Sequence, residues 1–478
     1  MSGGLVLGID LATAAVRVLA VDAATGDVVA TAGTPLPEPS APRPGHQEQV
    51  PVHAAAVRSV VRALTSDLGA RSLDVRALAV TATSGSVVPT DAHGVPTGPV
   101  LLYADQRGAA HASRITTVTG RSVGAASTLS RLAWLAEQDA AAGSPDRNYL
   151  HVPDVVVADL TGRLVTDTSH ALKAGIDPVA ARWPAELLDA AGVPVGALPE
   201  LVPPGTVVGE VRDLVAAELG LPAGVQVVAG MTDGCTAQLA AGAVAPGRTT
   251  GVLGTTLVLK GVAAEEVVGF GGAVYSHLAP DGRWWPGGAS NTGAGILATD
   301  GEVADLAAAD VDAARRGPSP WTAYPLRGTG ERFPFVRPDA TGFLIGPGSP
   351  SALERHRAWL DGVAFVERLG LERLAALGVA SADHRVTGGG TRSSVWTTIR
   401  ASVLGRPVSR PAEPSSGFGA AVLAGAAVTG AHPAEAADRM VRIVEVIDPD
   451  PAQVGPLDEG YQRLTDELRR RGWLDDGA

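Results

Sequence analysis

The chain opens on apolar runs separated by small polar turns. Residues 5–9 form an apolar strand that ends on Asp10, residues 11–15 form a small-residue turn, and residues 16–22 form a second strand. Ala24-Thr25-Gly26-Asp27 is the next turn and leads to a third strand starting at Val28. Strand, turn, strand, turn, strand predicts an antiparallel meander and weighs against an immediate strand–helix–strand unit. A proline-rich connection over 35–44 precedes residues 48–68, where Val50, Val52, Ala56, Val57, Val60, Val61 and Leu64 recur at a mostly helical period. Strands are expected at 75–82, 87–89 and 100–103, and helices at 129–137 and 154–160, the last stopped near Gly162.

The small-residue segment 241–247 interrupts the pattern, and strand-like runs resume at 251–253, 257–262 and 273–277. A long helix follows over 356–370. A strand at 385–387 then runs into Gly388-Gly389-Gly390, with a helix over 395–404 and a close-packing small-residue helix over 417–427. A hairpin followed by helices thus begins each half. This predicts an α/β chain of two similar domains, residues 1–244 and 245–478, facing a cleft.

Composition narrows the class. At 478 residues the chain exceeds what one core usually serves, which agrees with two domains. Hydrophobic content of 45% and charged content of 18% are ordinary for a globular protein. A net charge of −12 offers no general attraction to nucleic acid or an anionic membrane, so any phosphate must be held locally. Cys235 is the single cysteine, which excludes a disulfide framework and a cysteine zinc site; it reads as a small buried filler. There is no run long enough to span a bilayer and no leader-like start, so the expected partner is a small molecule and the expected compartment the cytoplasm. A homodimer is left open.

The chemistry lies in turns. Neither lysine, Lys173 or Lys260, follows a Walker glycine, and no GxGxxG, His-Glu-x-x-His or Gly-x-Ser-x-Gly pattern is present. What remains are acid and small-residue turns after strands: Asp10 with Thr13, Asp233 with Gly234, Gly254 with Thr255 and Thr256, and Gly388-Gly389-Gly390. Glycine admits phosphate close to the backbone, hydroxyls and N–H groups donate to it, and an acid can hold Mg²⁺ through water. Asp233 is the only acid between Glu218 and Glu265. Its residues alone allow a helix cap or a general base beside phosphate.

Gly8-Ile9-Asp10-Leu11-Ala12-Thr13 resembles the first phosphate motif of the FGGY carbohydrate kinases, and Gly230-Met231-Thr232-Asp233-Gly234 resembles the segment bearing that family's catalytic aspartate. Gly254-Thr255-Thr256 is similar to its second phosphate turn. Gly388-Gly389-Gly390 with Trp396 is similar to its nucleotide-binding glycines, and 416–421 to the helix start that follows. The resemblance runs in family order over about 5–430. It implies two actin-like, ribonuclease-H-like domains flanking a cleft for ATP, Mg²⁺ and sugar, with the nucleotide on the C-terminal side. It also implies Asp233 as base and Asp10 as metal ligand. Thr13, Arg17, Gly254, Thr255, Thr256, Gly388, Gly389 and Gly390 would then serve ATP. Alanine stands at 12, 14 and 15 where the family usually has glycine and hydroxyl residues, which removes two donors and disfavours any left-handed backbone at 12.

The Gln-Met-His-Gly motif of typical xylulose kinases is replaced here by Thr83-Ser84-Gly85-Ser86 after Ala82. Thr83 and Ser84, with residues 101–105, 169–177 and 287–293, look more like the D-ribulose kinase branch. Asp105 is expected to accept sugar hydroxyls. The implied reaction is transfer of the ATP γ-phosphoryl to the 5-hydroxyl of a ketopentose, D-ribulose first, with D-xylulose or another polyol as the alternative. A catalytically weak sugar-binding protein and an assembling actin-like ATPase are the rivals from other classes.

Overall fold

A computed structural model describes residues 4–125, 127–144, 147–300 and 302–474. The chain divides into two compact units, residues 1–240 with 415–440 and residues 241–414 with 441–478. In the first, six strands lie in the order Val207–Glu210, Gln226–Val228, Val75–Ala82, Leu5–Ala12, Ala15–Asp22, Val28–Pro35. Leu5–Ala12 runs antiparallel to Ala15–Asp22, and that strand antiparallel to Val28–Pro35. On its other side Leu5–Ala12 runs parallel to Val75–Ala82, which runs parallel to Gln226–Val228.

The second unit repeats this plan. Gly247–Leu253 is antiparallel to Leu257–Lys260, which is antiparallel to Trp284–Ala289. Gly247–Leu253 is also parallel to Ser381–Thr387, and Ser381–Thr387 to Val408–Pro411. Two sheets of the same order, each a meander with parallel strands added beside its first strand, are the duplicated actin-like architecture expected from the sequence.

Each sheet buries its own core. Leu7, Ile9, Leu64, Leu78 and Val227 are fully buried in the first unit, and Leu259, Phe333, Leu360, Val363 and Leu464 in the second. Residues 77–82 and 227–228 are buried on both faces, which is why these stretches are nearly continuous apolar runs without alternation. The helix predicted over 356–370 extends over Ala352–Ala376, begun by a capping box in which Ser351 and Glu354 serve each other's backbone. Val152–Thr161 ends at Gly162, whose φ of 77° supplies the left-handed cap.

The expected halves, 1–244 and 245–478, differ from the observed units by residues 241–244, which fall in the second unit, and by the segment 415–440, which falls in the first. Its helix, Ser416–Thr429, lies on the first unit's sheet and is held there by glycine. A Cβ on Gly8 would stand 1.8 Å from the Gly417 carbonyl oxygen, and one on Gly419 would stand 1.8 Å from that of Thr236. Only residues without side chains allow backbones this close. Cys235 is free and fully buried in the neighbouring helix Asp233–Ala240. Among the described residues no helix is long and apolar enough to cross a membrane.

Candidate active site

In the first unit the parallel strands bring their carboxyl ends into register. Asp10 pairs with Thr81, and Ala82 bridges Thr232 in parallel. Asp10, the Thr83–Ser84 turn and Asp233 therefore leave the same edge of one sheet, where open α/β sheets gather ligands.

Asp10 is 8% exposed. Its pKa is raised to about 6, first by burial and next by the negative charge of Asp233, while Arg17 works in the opposite direction. Arg17 stands directly across the hairpin from Asp10, with Nη1 3.6 Å from Oδ2, and its side chain is mostly exposed. Two acids repelling each other at a strand edge form a place for positive charge. Among the described residues no cluster of three or more His, Cys, Asp or Glu could hold a metal. The pair thus suits Mg²⁺, which keeps waters and takes other ligands from phosphate, better than a caged metal.

The Thr13–Ala14 turn joins Ala12 to its partner Ala15, and Gln49 Nε2 donates to the Thr13 carbonyl at 2.9 Å. Among the described non-glycine residues only Ala181 and Phe270 have positive φ. The turn uses no left-handed backbone, so alanine at 12 is unstrained there.

Asp233 opens the helix Asp233–Ala240 and is half-buried. Its Oδ1 accepts from the Gly234 N–H at 2.7 Å, and its carbonyl accepts from Ser416 Oγ at 3.1 Å. The helix N-terminus favours the carboxylate at this position.

In the Thr83–Ser86 loop Thr83 Oγ1 lies 3.4 Å from Ser86 Oγ, and the buried Ser84 Oγ has no protein partner. Asp105 departs from expectation. It is fully buried, its carboxylate accepts from Gln47 N at 2.7 Å, and Arg107 Nε and Nη2 reach it at 2.9 Å. Its oxygens are committed to the chain, so Asp105 builds the loop and does not present oxygens to a sugar. Arg131, absent from the sequence reading, is the organiser: Nη2 donates to the Gly85 carbonyl at 2.7 Å, and Nη1 to those of Tyr103 and Asp105 at 3.1 Å. Its one sequence signal is a charge set among Leu129, Leu132 and Leu135 on the packing face of the helix Thr128–Ala141.

In the second unit Gly254-Thr255-Thr256 closes the hairpin from Leu253 to Leu257, with Gly254 N–H donating to the Thr256 carbonyl at 3.0 Å. Thr255 is exposed and Thr256 half-buried. The adjacent strand pairs Thr387 with Val252, which brings Gly388-Gly389-Gly390 to the same edge. Gly388 has φ 86° and sits on the Leu253 backbone, and a Cβ on Gly390 would meet the Leu253 side chain at 2.4 Å. A Cβ on Gly389 would meet nothing within 4 Å, so that glycine leaves open space. Beside it is a cavity of about 400 Å³ walled by Ala294, Leu297, Leu306, Gly389, Gly390 and Trp396.

Glu331 fixes the segment that supports this turn, and nothing in the sequence marks it. Its buried carboxylate accepts from Ser290 Oγ at 2.9 Å, Asn291 N at 2.7 Å, Thr292 Oγ1 at 3.2 Å and Tyr324 OH at 2.8 Å. Thr292 in turn accepts from Leu257 N, while Ala294 and Gly295 N–H groups donate to Gly254 and Thr255.

Comparison with known proteins agrees with this geometry. Residues 5–240 match the N-terminal domain of the FGGY family of carbohydrate kinases, and residues 249–428 match its C-terminal domain. The xylulose kinase of Streptomyces rubiginosus is 30% identical over 497 residues, covering 100% of this chain and 97% of that protein. The solved structure of a xylulose kinase from Brucella ovis superposes with TM-score 0.88 at 28% identity, covering 98% of this chain and 100% of that one. A xylulose kinase from Rhodospirillum rubrum gives 0.84 at 28% identity, with 98% of each chain covered. Both domain matches, a full-length relative and the duplicated sheets coincide: the chain is a phosphotransferase belonging to the FGGY family of carbohydrate kinases.

Proposed function

We propose that the protein transfers the γ-phosphoryl group of Mg-ATP to the primary 5-hydroxyl of a ketopentose. The observation that carries this reading is the coupled pair of Asp10 and Asp233 at the carboxyl edge of the first sheet. Asp233 accepts the proton of the sugar hydroxyl as it attacks phosphorus. Asp10 would hold Mg²⁺, which when bound would neutralise charge on the phosphates. Thr13 and Arg17 face the transferring phosphate from the first hairpin, and Thr83 and Ser84 offer hydroxyls to the sugar. The orphaned Ser84 Oγ supports that role, because a buried hydroxyl without a partner is costly until something bonds it.

The second unit serves the nucleotide. Gly254, Thr255 and Thr256 cradle phosphate oxygens. Gly388, Gly389 and Gly390 admit the nucleoside to the cavity beside Trp396, whose walls are largely apolar, as suits a heteroaromatic base. The first unit is then the sugar side and the second the nucleotide side, in a cytoplasmic enzyme drawing on ATP.

Two sugars have specific support. Thr83-Ser84 in place of the Gln-Met-His-Gly pattern favours D-ribulose, and the names of the relatives favour D-xylulose. An ADP-release assay with Mg-ATP against D-ribulose, D-xylulose, L-ribulose, glycerol and gluconate decides between them. Turnover confined to one ketopentose assigns the substrate. Turnover on glycerol or gluconate alone overturns the ketopentose reading, and silence on all five overturns the kinase reading.

A further inference from the structure

The short helical turn Thr168–Ala171 contributes no group to the roles above, yet it is bonded to two of the segments that supply them. Asp167 caps it, accepting from the His170 N–H at 2.8 Å through Oδ1, while its Oδ2 lies 2.6 Å from His170 Nδ1. The His170 ring is completely buried, and Nε2 is 3.3 Å from the carbonyl oxygen of Ala82, the residue that leads into Thr83. The neighbouring Ser169 Oγ accepts from the Thr232 N–H at 3.2 Å and lies 3.2 Å from Thr232 Oγ1. Thr232 is the residue before Asp233.

Burial alone would push His170 toward its neutral form, but the charge and hydrogen bond of Asp167, with Asp154 behind it, hold its pKa above the ordinary histidine value. The Asp167 carboxylate and the Ala82 carbonyl can only accept, so the doubly protonated ring suits both contacts, with Nδ1 facing Asp167 and Nε2 facing Ala82. The ring of His151 stands 6.2 Å away as the nearest aromatic neighbour. Two adjacent residues of one turn therefore reach, separately, the entry to the Thr83–Ser86 loop and the residue before the acid.

We propose that Ser169 and His170 form a positioning clamp, which fixes the Thr83–Ser86 loop relative to Asp233 and so sets the alignment of the acceptor hydroxyl with its base. This rests on the reading of Asp233 given above. Neither residue touches the reacting atoms. Their contribution is geometric, and small displacements of a bound acceptor reduce rate steeply.

Three variants of the full-length protein separate the contacts. His170→Gln keeps a donor near the position of Nε2, His170→Asn keeps one near Nδ1 but falls short of Ala82, and Ser169→Ala removes the hydroxyl that meets Thr232 while leaving the His170 ring in place. On the ketopentose that the wild type uses, His170→Asn and Ser169→Ala are expected to lower kcat/KM about 10- to 100-fold. They should also raise the sugar KM and the ATP hydrolysed per sugar phosphorylated, leaving the KM for ATP unchanged. His170→Gln should stay within about fivefold of wild type. A purely structural role would reduce the active fraction in all variants alike, with KM and stoichiometry constant, and would overturn the clamp. So would wild-type kinetics in both His170→Asn and Ser169→Ala. Should His170→Asn not fold, Ser169→Ala decides. Failure of the wild type on every ketopentose overturns the underlying functional reading and the clamp with it, whereas an active wild type with unaffected variants overturns the clamp alone.

Discussion

Asp10 shows how a single residue carries both cost and function. Its folded pKa of about 6 lies above the ordinary aspartate value of 3.8, so the ionised form is disfavoured by folding. The sign follows from linkage: this group destabilises the ligand-free protein as pH rises from 3.8 toward 6, and the penalty is complete above that. That difference from the ordinary value corresponds to ~3 kcal/mol. Asp10→Asn should therefore raise the denaturation midpoint of the ligand-free protein at pH 7.5, gain less at pH 5, and lose turnover. An Asn variant less stable than wild type at pH 7.5 would contradict the repulsion argument. Asp105 gives the opposite lesson. Because its carboxylate is buried against Arg107 and accepts from Gln47 N–H, Asp105→Ala leaves Glu48 as the acidic partner of that guanidinium and strips the Gln47 N–H of its acceptor, and should destabilise by about 1–3 kcal/mol in chemical denaturation. A variant of normal stability whose only defect is sugar KM would restore the sugar-contact role.

Much of this was readable at the scale of elements. The first meander, the strand Val75–Ala82 and the helix Ser394–Leu404 follow from apolar runs punctuated by glycine and polar turns. The strand-end turns holding Asp10, Asp233, Gly254–Thr256 and Gly388–Gly390 were legible for the same reason. Segments with conflicting local signals were not. The hairpin Thr322–Glu331 with Arg337–Ile345 contains Pro325 and Pro338, which read as loop but are tolerated where register breaks. The helix Pro451–Arg470 buries Leu457, Tyr461, Leu464 and Leu468 at helical spacing, but Pro456 inside it masks the period. Arg131 and Glu331 lack a local signal because most of their partners are distant in the chain, backbone carbonyls of Gly85, Tyr103 and Asp105 for the one and the segment 290–292 for the other. Gly419 makes the element-scale prediction. Alanine there would force the helix Ser416–Thr429 off the Thr236 carbonyl, costing at least ~3 kcal/mol and displacing the Ser416 contact to Asp233. Thermal denaturation and turnover should fall together, and an alanine variant with normal stability would show that the approach is looser than described.

At the scale of the whole molecule the duplicated sheet order was foreshadowed by a hairpin opening each half. The return of 415–440 to the first unit was not, because it depends on contacts such as Gly8 with Gly417 that have no local sequence signal. The proposed base, the sugar groups and the Thr13 turn belong to the first unit, and the turns at Gly254–Thr256 and Gly388–Gly390 to the second. The central claim of the proposed reaction is that Asp233 removes the proton of the acceptor. Asp233→Asn tests this with little structural disturbance, since the amide oxygen can still accept from Gly234 N–H. The measurement is ketopentose phosphorylation by this variant at saturating Mg-ATP, beside sugar affinity by calorimetry. The account predicts a fall in kcat of about 10²- to 10⁴-fold with sugar affinity retained. Turnover within tenfold of the wild type would contradict it.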